Sequence, residues 1–135
     1  MMRLLPIAEA IALEGEPLPG ASSSEAEVIH RLVRDTGKGI CAVTAWVIID
    51  VLDVDSSPII ASGKQPFVMF THSVLLHSTG EYQQGERVKT GYAVSFDGLG
   101  VFETQDTVFL LMGKGYRRSA SIEVLEAIPL RSWTP

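Results

Sequence analysis

The stretch RVKTGYAVSFDGLGVFETQDTVFLLM, residues 87–112, sets the fold class before any other part of the chain is considered. Val88, Thr90, Tyr92, Val94 and Phe96 share one parity, and Lys89, Gly91, Ala93 and Ser95 the other. A period of two marks a half-buried strand, here with the Val94 parity turned to the core. Asp97-Gly98 follows at once. Such a pair between alternating apolar runs is a hairpin signal, because glycine accepts the positive φ of a tight turn. Leu99 to Thr104 returns, Gln105-Asp106 turns the chain again, and Thr107 to Met112 forms a third, almost wholly apolar strand ending at Gly113-Lys114-Gly115. The result is an antiparallel meander of three strands.

Upstream, Ile40 to Val51 is apolar on both parities and rich in β-branched residues, the pattern of a central strand covered on both faces. Phe67 to His77 reads as another long strand. Between them Asp53 to Gln65 holds Pro58 and Gly63, with one helical turn at Pro58 to Ala61, and crosses a sheet edge. Ser78 to Glu86 is a polar loop, and Ile122, Val124 and Leu125 make a last strand or short helix stopped by Pro129. At the other end, Ser24 and Glu27 have capping-box spacing. They open a helix over 24–36 whose buried stripe is Val28, Ile29, Leu32 and Val33 and whose stop is Gly37. Leu4, Ile7, Ala8 and Ile11 are spaced as one face of a short helix, and Gly15 to Ser23 has the composition of a linker.

These elements make one domain over 1–135: an N-terminal segment and linker at 1–23, the helix at 24–36 and a sheet-forming core at 40–128. The expected class is α+β, with one or two N-terminal helices packed on a mostly antiparallel sheet of four to five strands or a small partly open barrel.

The chain has 135 residues, 46% of them hydrophobic and 20% charged, which is ordinary globular composition and enough for one core. A net charge of −5 argues against non-specific attraction to nucleic acid or an anionic membrane. Cys41 is the sole cysteine and lies in an apolar run, which fits a reducing cytoplasm. Pro6 and Glu9 interrupt the apolar segment a signal peptide needs, and no stretch has the length of a membrane span.

Few polar groups are arranged for chemistry. His72 and His77 are five apart on a strand and point to opposite faces, and His30 lies on a distant helix, so no metal site is expected. No base is placed to activate Cys41. Asp50, Asp53 and Asp55 read as solvated strand-end carboxylates. No catalytic trio is visible, and no cofactor is expected. The binding candidates are basic: Gly113-Lys114-Gly115-Tyr116-Arg117-Arg118 concentrates three cations and an aromatic ring in an acidic chain. It reads as a contact turn at a rigid sheet end, with Arg87 and Lys89 nearby across the meander.

The motifs Gly85-x-x-Val88-x-Thr90, Phe102-x-Thr104-x-x-Thr107-Val108 and Leu111-x-Gly113-x-Gly115 resemble those of a family of small uncharacterised bacterial proteins also carried on prophages, over about residues 40–118. The resemblance implies a cytoplasmic accessory protein of bacterial or phage origin; it implies no catalytic residue. Members have a helical connection after the central strand, where this chain has Ser56-Ser57-Pro58 and Gly63. The leading expectation is a protein-interaction module that occupies a surface on a larger protein partner as a regulator or inhibitor, with a homo-oligomer compatible. The alternative is a small-barrel nucleic-acid or anion binder, disfavoured by the net charge. An enzyme ranks last.

Overall fold

The strand read as central is the longest of the fold, and three others hydrogen-bond to it. The computed structural model describes residues 4–128. Within them β2 (Gly39–Leu52) pairs along one edge with β3 (Phe67–His77), antiparallel. Its other edge is shared by two parallel partners, first β7 (Thr107–Leu111) and then β8 (Gly115–Ser121).

Apolar residues on both parities of β2 follow from burial on both of its faces. Cys41, Val43, Trp46 and Ile48 pack with Met69, Phe102, Phe109 and Leu111 in the inner core of a curled sheet. On the opposite face Ile40 packs beneath α2 (Ser23–Val33), and Val47 and Ile49 pack beneath α1 (Leu4–Ala10) and α4 (Ile122–Ala127). The inward residues switch from odd to even between Val43 and Trp46. Ala45 makes that switch by taking φ +51°, a left-handed conformation uncommon outside glycine.

The partner strand adjusts at the same level. Val43 lies opposite Leu111 and Val47 opposite Tyr116, so the chain over 107–121 carries one more residue than β2 between those two pairs. Gly113-Lys114-Gly115 is therefore a bulge in a nearly continuous parallel strand, where the sequence reading ended the strand. The expected meander is corrected in the same region. Its first strand is broken into β4 (Val88–Lys89), which pairs with β3, and β5 (Ser95–Phe96), which pairs with β6 (Val101–Glu103).

Between those pieces the segment changes edges. The Thr90 and Ala93 N–H groups donate to the Met69 and Phe67 carbonyls (2.9 and 3.0 Å), and the next N–H, that of Val94, donates to Glu103 (2.7 Å). One segment thus reaches both β3 and β6, and the sheet curls into a half-barrel. The alternation breaks with it: Ala93 is fully buried in the inner core and Val94 only half-buried.

Eight strands in a mixed sheet replace the expected four to five mostly antiparallel ones. Two were unforeseen. β8 extends the chain past its glycines, and β1 (Glu16–Leu18) lies inside the tract read as linker, antiparallel to β8. A Cβ on Gly15 would clash with the Arg117 carbonyl. The glycine that looked like a breaker permits close backbone approach. The connection after β2 is helical after all, as α3 (Ser56–Ala61), started by Asp55, which accepts from the Ser57 N–H (3.0 Å).

The cap of α2 lies two residues earlier than expected. Ser22 is the N-cap, its hydroxyl accepting from the Glu25 N–H (3.2 Å) while the Glu25 carboxylate accepts from the Ser22 N–H (3.0 Å). Ser22→Ala should therefore lower stability by about 1 kcal/mol in a urea melt, and Ser24→Ala should stay within about 0.5 kcal/mol of the parent. Equal losses would place the cap elsewhere. Half of the expected stripe faces the sheet: Ile29 and Val33, themselves half-buried, pack on Ile40, Val108 and Leu110, whereas Val28 is 53% and Leu32 72% exposed. On α1, Ala10 is buried, with Ile7 and Ile11 packed beside it, and Ala8 is exposed. The expected stop at Pro129 lies outside the described residues.

Candidate functional site

A β-strand sends alternate side chains to opposite faces, and this decides the fate of the basic cluster. Because Gly115–Ser121 is a strand, Tyr116 and Arg118 share one parity and Arg117 takes the other. Tyr116 packs half-buried among Val47, Ile49 and the residues of α1 and α4. Arg117 crosses to Asp50, donating from Nε and Nη2 to its two carboxylate oxygens (2.8 and 2.7 Å), and its guanidinium lies over the Phe67 ring, 4.9 Å from the centroid. The paired carboxylate raises the Arg117 pKa further, against a smaller effect of burial. Arg118 is half-buried, and its Nε and Nη1 have no hydrogen-bond acceptor among the described residues. Lys114 is exposed on the bulge, with Nζ 5.3 Å from the Tyr116 ring centroid, and Arg87 is exposed before β4. Lys114, Tyr116, Arg117 and Arg118 do not form one basic turn.

Arg117 thus works inside the fold. Arg117→Ala should cost about 1 kcal/mol, the value of a half-exposed bidentate pair. A double-mutant cycle with Asp50→Asn measures the coupling, and zero coupling would remove the pair from the account of stability.

Lys89 occupies a more informative position. α4 lies across the outer face of the sheet, and between it and the segment after β4 is a cleft of about 210 Å³. Val51, Val68 and Leu125 supply its apolar wall; Lys89 and Glu126 bring one charge of each sign. Lys89 Nζ donates to the Leu125 carbonyl (2.6 Å), near the C-terminal end of α4, where a cation is favoured. One of its three protons is used there. Burial lowers the Lys89 pKa, with the Glu126 charge acting the other way.

The backbone beside Lys89 is bowed. Four residues, Thr90 to Ala93, span the distance that Phe67 to Met69 covers in three, so Gly91 and Tyr92 stand out of the ladder. Both line the cleft. Among the described residues neither their N–H groups nor the Tyr92 hydroxyl meets an acceptor. The sequence reading named Lys89 and missed Glu126, Gly91 and this use of Tyr92. Alternation placed Tyr92 in the core, and nothing in the sequence carries the position of α4 against the strand.

Several of the remaining candidates are taken up by the fold. Cys41 is fully buried in the inner core, and burial, with smaller contributions from Glu81 and Glu86, pushes its thiol up to about 12, so it stays protonated and inert at neutral pH. His72 Nε2 donates to the Ile11 carbonyl (2.6 Å), tying β3 to the end of α1, and His77 Nδ1 accepts from the Thr79 N–H (3.2 Å). Asp50 and Asp55 are held by Arg117 and by the start of α3. Among the described residues no group of three or more His, Cys, Asp or Glu side chains is placed to hold a metal ion, and no helix is long and apolar enough to cross a membrane.

The fold and its clefts define the protein as an α+β half-barrel carrying helices on its outer face. The chain belongs to the family described as a domain of unknown function, DUF6957, whose model matches residues 19–127. The match spans α2 and nearly all of the sheet, more than the 40–118 over which the motifs resemble one another. Neither the curated proteins nor the solved structures contain a match to the chain.

Proposed function

We propose that the protein is a cytoplasmic interaction module of a bacterial or phage accessory gene, binding a larger protein partner and docking through α2. The observation that supports this reading is the pair Val28 and Leu32, one turn apart on an otherwise well-capped helix and 53% and 72% exposed. Exposed apolar side chains at i and i+4 are the anchors by which a helix is recognised in a groove, and a leucine this exposed gains most when a partner covers it. Arg31 is exposed beside them, one turn from Val28. The stated partner is therefore an apolar surface on a larger protein bordered by carboxylates.

The experiment compares capture by the parent, by Val28→Glu/Leu32→Glu and by Arg31→Glu, with light scattering of each. One protein retained by the parent and lost by both variants, all three chains being folded monomers, is the expected result. A parent that dimerises, with the dimer abolished by the double variant, would make the occupant a second copy and overturn the reading. So would capture unaffected by the substitutions. Both sites are exposed, so each variant should fold with a stability change within about 0.5 kcal/mol.

We rank the alternative, nucleic-acid or anion binding through the basic turn, second, because Arg117 is ion-paired and Tyr116 is packed into the outer core.

A further inference from the structure

We propose that the cleft beneath α4 is a binding site for a small monocarboxylate with an apolar body, of about the size of benzoate, whose carboxylate is received by Lys89 and by the bowed backbone at Gly91 and Tyr92. The site is separate from the α2 surface and does not depend on it.

Three features set the ligand class. The first is size and wall. An apolar cavity of about 150 Å³ takes a benzene ring, so about 210 Å³ walled by Val51, Val68 and Leu125 accommodates a ring or short chain plus a carboxylate. The second is the set of donors. Lys89 Nζ, held by one bond to the Leu125 carbonyl, retains two protons, and the N–H groups of Gly91 and Tyr92 have no acceptor among the described residues. An ammonium and backbone amides beside an apolar wall are the few placed polar groups that orient a small ligand in an apolar site, and charge-assisted bonds to a carboxylate are the stronger kind. The third is charge. Glu126 also lines the cleft, against a single cation in its lining, so a second negative charge on the ligand meets repulsion. A monoanion is favoured over a phosphate dianion. The lowered Lys89 pKa agrees, since the ammonium sits where burial disfavours its charge and an incoming carboxylate restores the balance.

The test is a titration of the amide spectrum of the full chain with benzoate, with inorganic phosphate and with benzyl alcohol. Benzoate is expected to bind with a dissociation constant on the order of 1 mM, shifting the Lys89, Gly91 and Tyr92 resonances. Benzyl alcohol should bind at least about fivefold more weakly, and phosphate should leave those resonances in place. Lys89→Met should weaken benzoate about tenfold or more. Glu126→Gln, at an exposed position that leaves the fold alone, should tighten it about two- to threefold and keeps the proposal testable should Lys89→Met fail to fold. The proposal is overturned by equal binding of phosphate, by benzoate shifts confined to other regions, by unweakened binding in Lys89→Met, or by unchanged affinity in Glu126→Gln.

Discussion

Gly115→Ala should cost about 3 kcal/mol or unfold the domain outright, while Lys114→Ala, one residue earlier, should leave the melt within about 0.5 kcal/mol of the parent. A Cβ built on Gly115 would lie far inside van der Waals contact of Cδ2, Cε2 and Cε3 of the Trp46 indole. That ring has no room to retreat. Trp46 is fully buried in the inner core with Val43, Ile48 and Leu111, and its Nε1 donates to the Met112 carbonyl (3.2 Å), which ties the ring to the bulge it packs under. Moving the strand instead would break the parallel pairing of Val47 with Tyr116 and of Ile48 with Arg117. Lys114 is exposed, with its Nζ 5.3 Å from the Tyr116 ring centroid. Urea unfolding followed by tryptophan fluorescence reads both variants, and a Gly115→Ala chain as stable as the parent would show that β8 does not pack on Trp46 as described.

The second large effect separates two neighbouring positions. Ala93→Asp should cost more than about 3 kcal/mol, because it places a carboxylate without a partner in the inner core. Ala93 is fully buried against Val88 and Phe102 and lies where the chain leaves β3 for β6. Val94→Asp should cost about 1 kcal/mol, since Val94 is half-buried beside an open groove. Simple alternation over 88–96 expects the reverse order. Thermal melts of the two variants decide the matter: if Val94→Asp is the more damaging, the strand runs unbroken and the half-barrel is drawn wrongly.

A pH effect follows from Lys38 and Glu103, which are ion-paired, with Ser95 Oγ also donating to the carboxylate (3.0 Å). The hydrogen bond from Lys38 holds the Glu103 pKa below its ordinary value of 4.5, against a smaller effect of burial. A depressed carboxylate adds stability above its unfolded pKa and loses it as pH falls through the folded one. Lys38→Met should therefore narrow the stability difference between pH 6 and pH 3 by at most about 0.5 kcal/mol, because the pair is only half-buried and solvent partly screens it. A larger change would require a partner other than Glu103.

What the sequence determined by itself rests on short-range physics. β2 and β3, the Asp97-Gly98 turn and the helix over the twenties were legible because each follows from periodicity, capping or turn chemistry within a few residues, whereas 122–127, left open between strand and helix, is a helix. Burial of both faces of β2 was legible too, since a strand between a core and a helix layer has no polar parity. Tertiary structure decided the rest, through interactions between residues distant along the chain. Gly113-Lys114-Gly115 reads as a terminus in one dimension, and it became a bulge because β2 offered unpaired backbone beyond Ala45 that β8 could satisfy. That pairing turned Tyr116, Arg117 and Arg118 to alternate faces and dispersed the basic cluster. The same need for partners drew Glu16–Leu18 out of a linker composition and divided 88–96 between two edges. Only the packing of α4 against the bowed segment brought Lys89, Glu126, Gly91 and Tyr92 to one cleft. Neither a backbone donor released by a bulge nor a charge delivered by a helix more than thirty residues away leaves a trace in local pattern, because both arise from which surfaces the folded chain must cover.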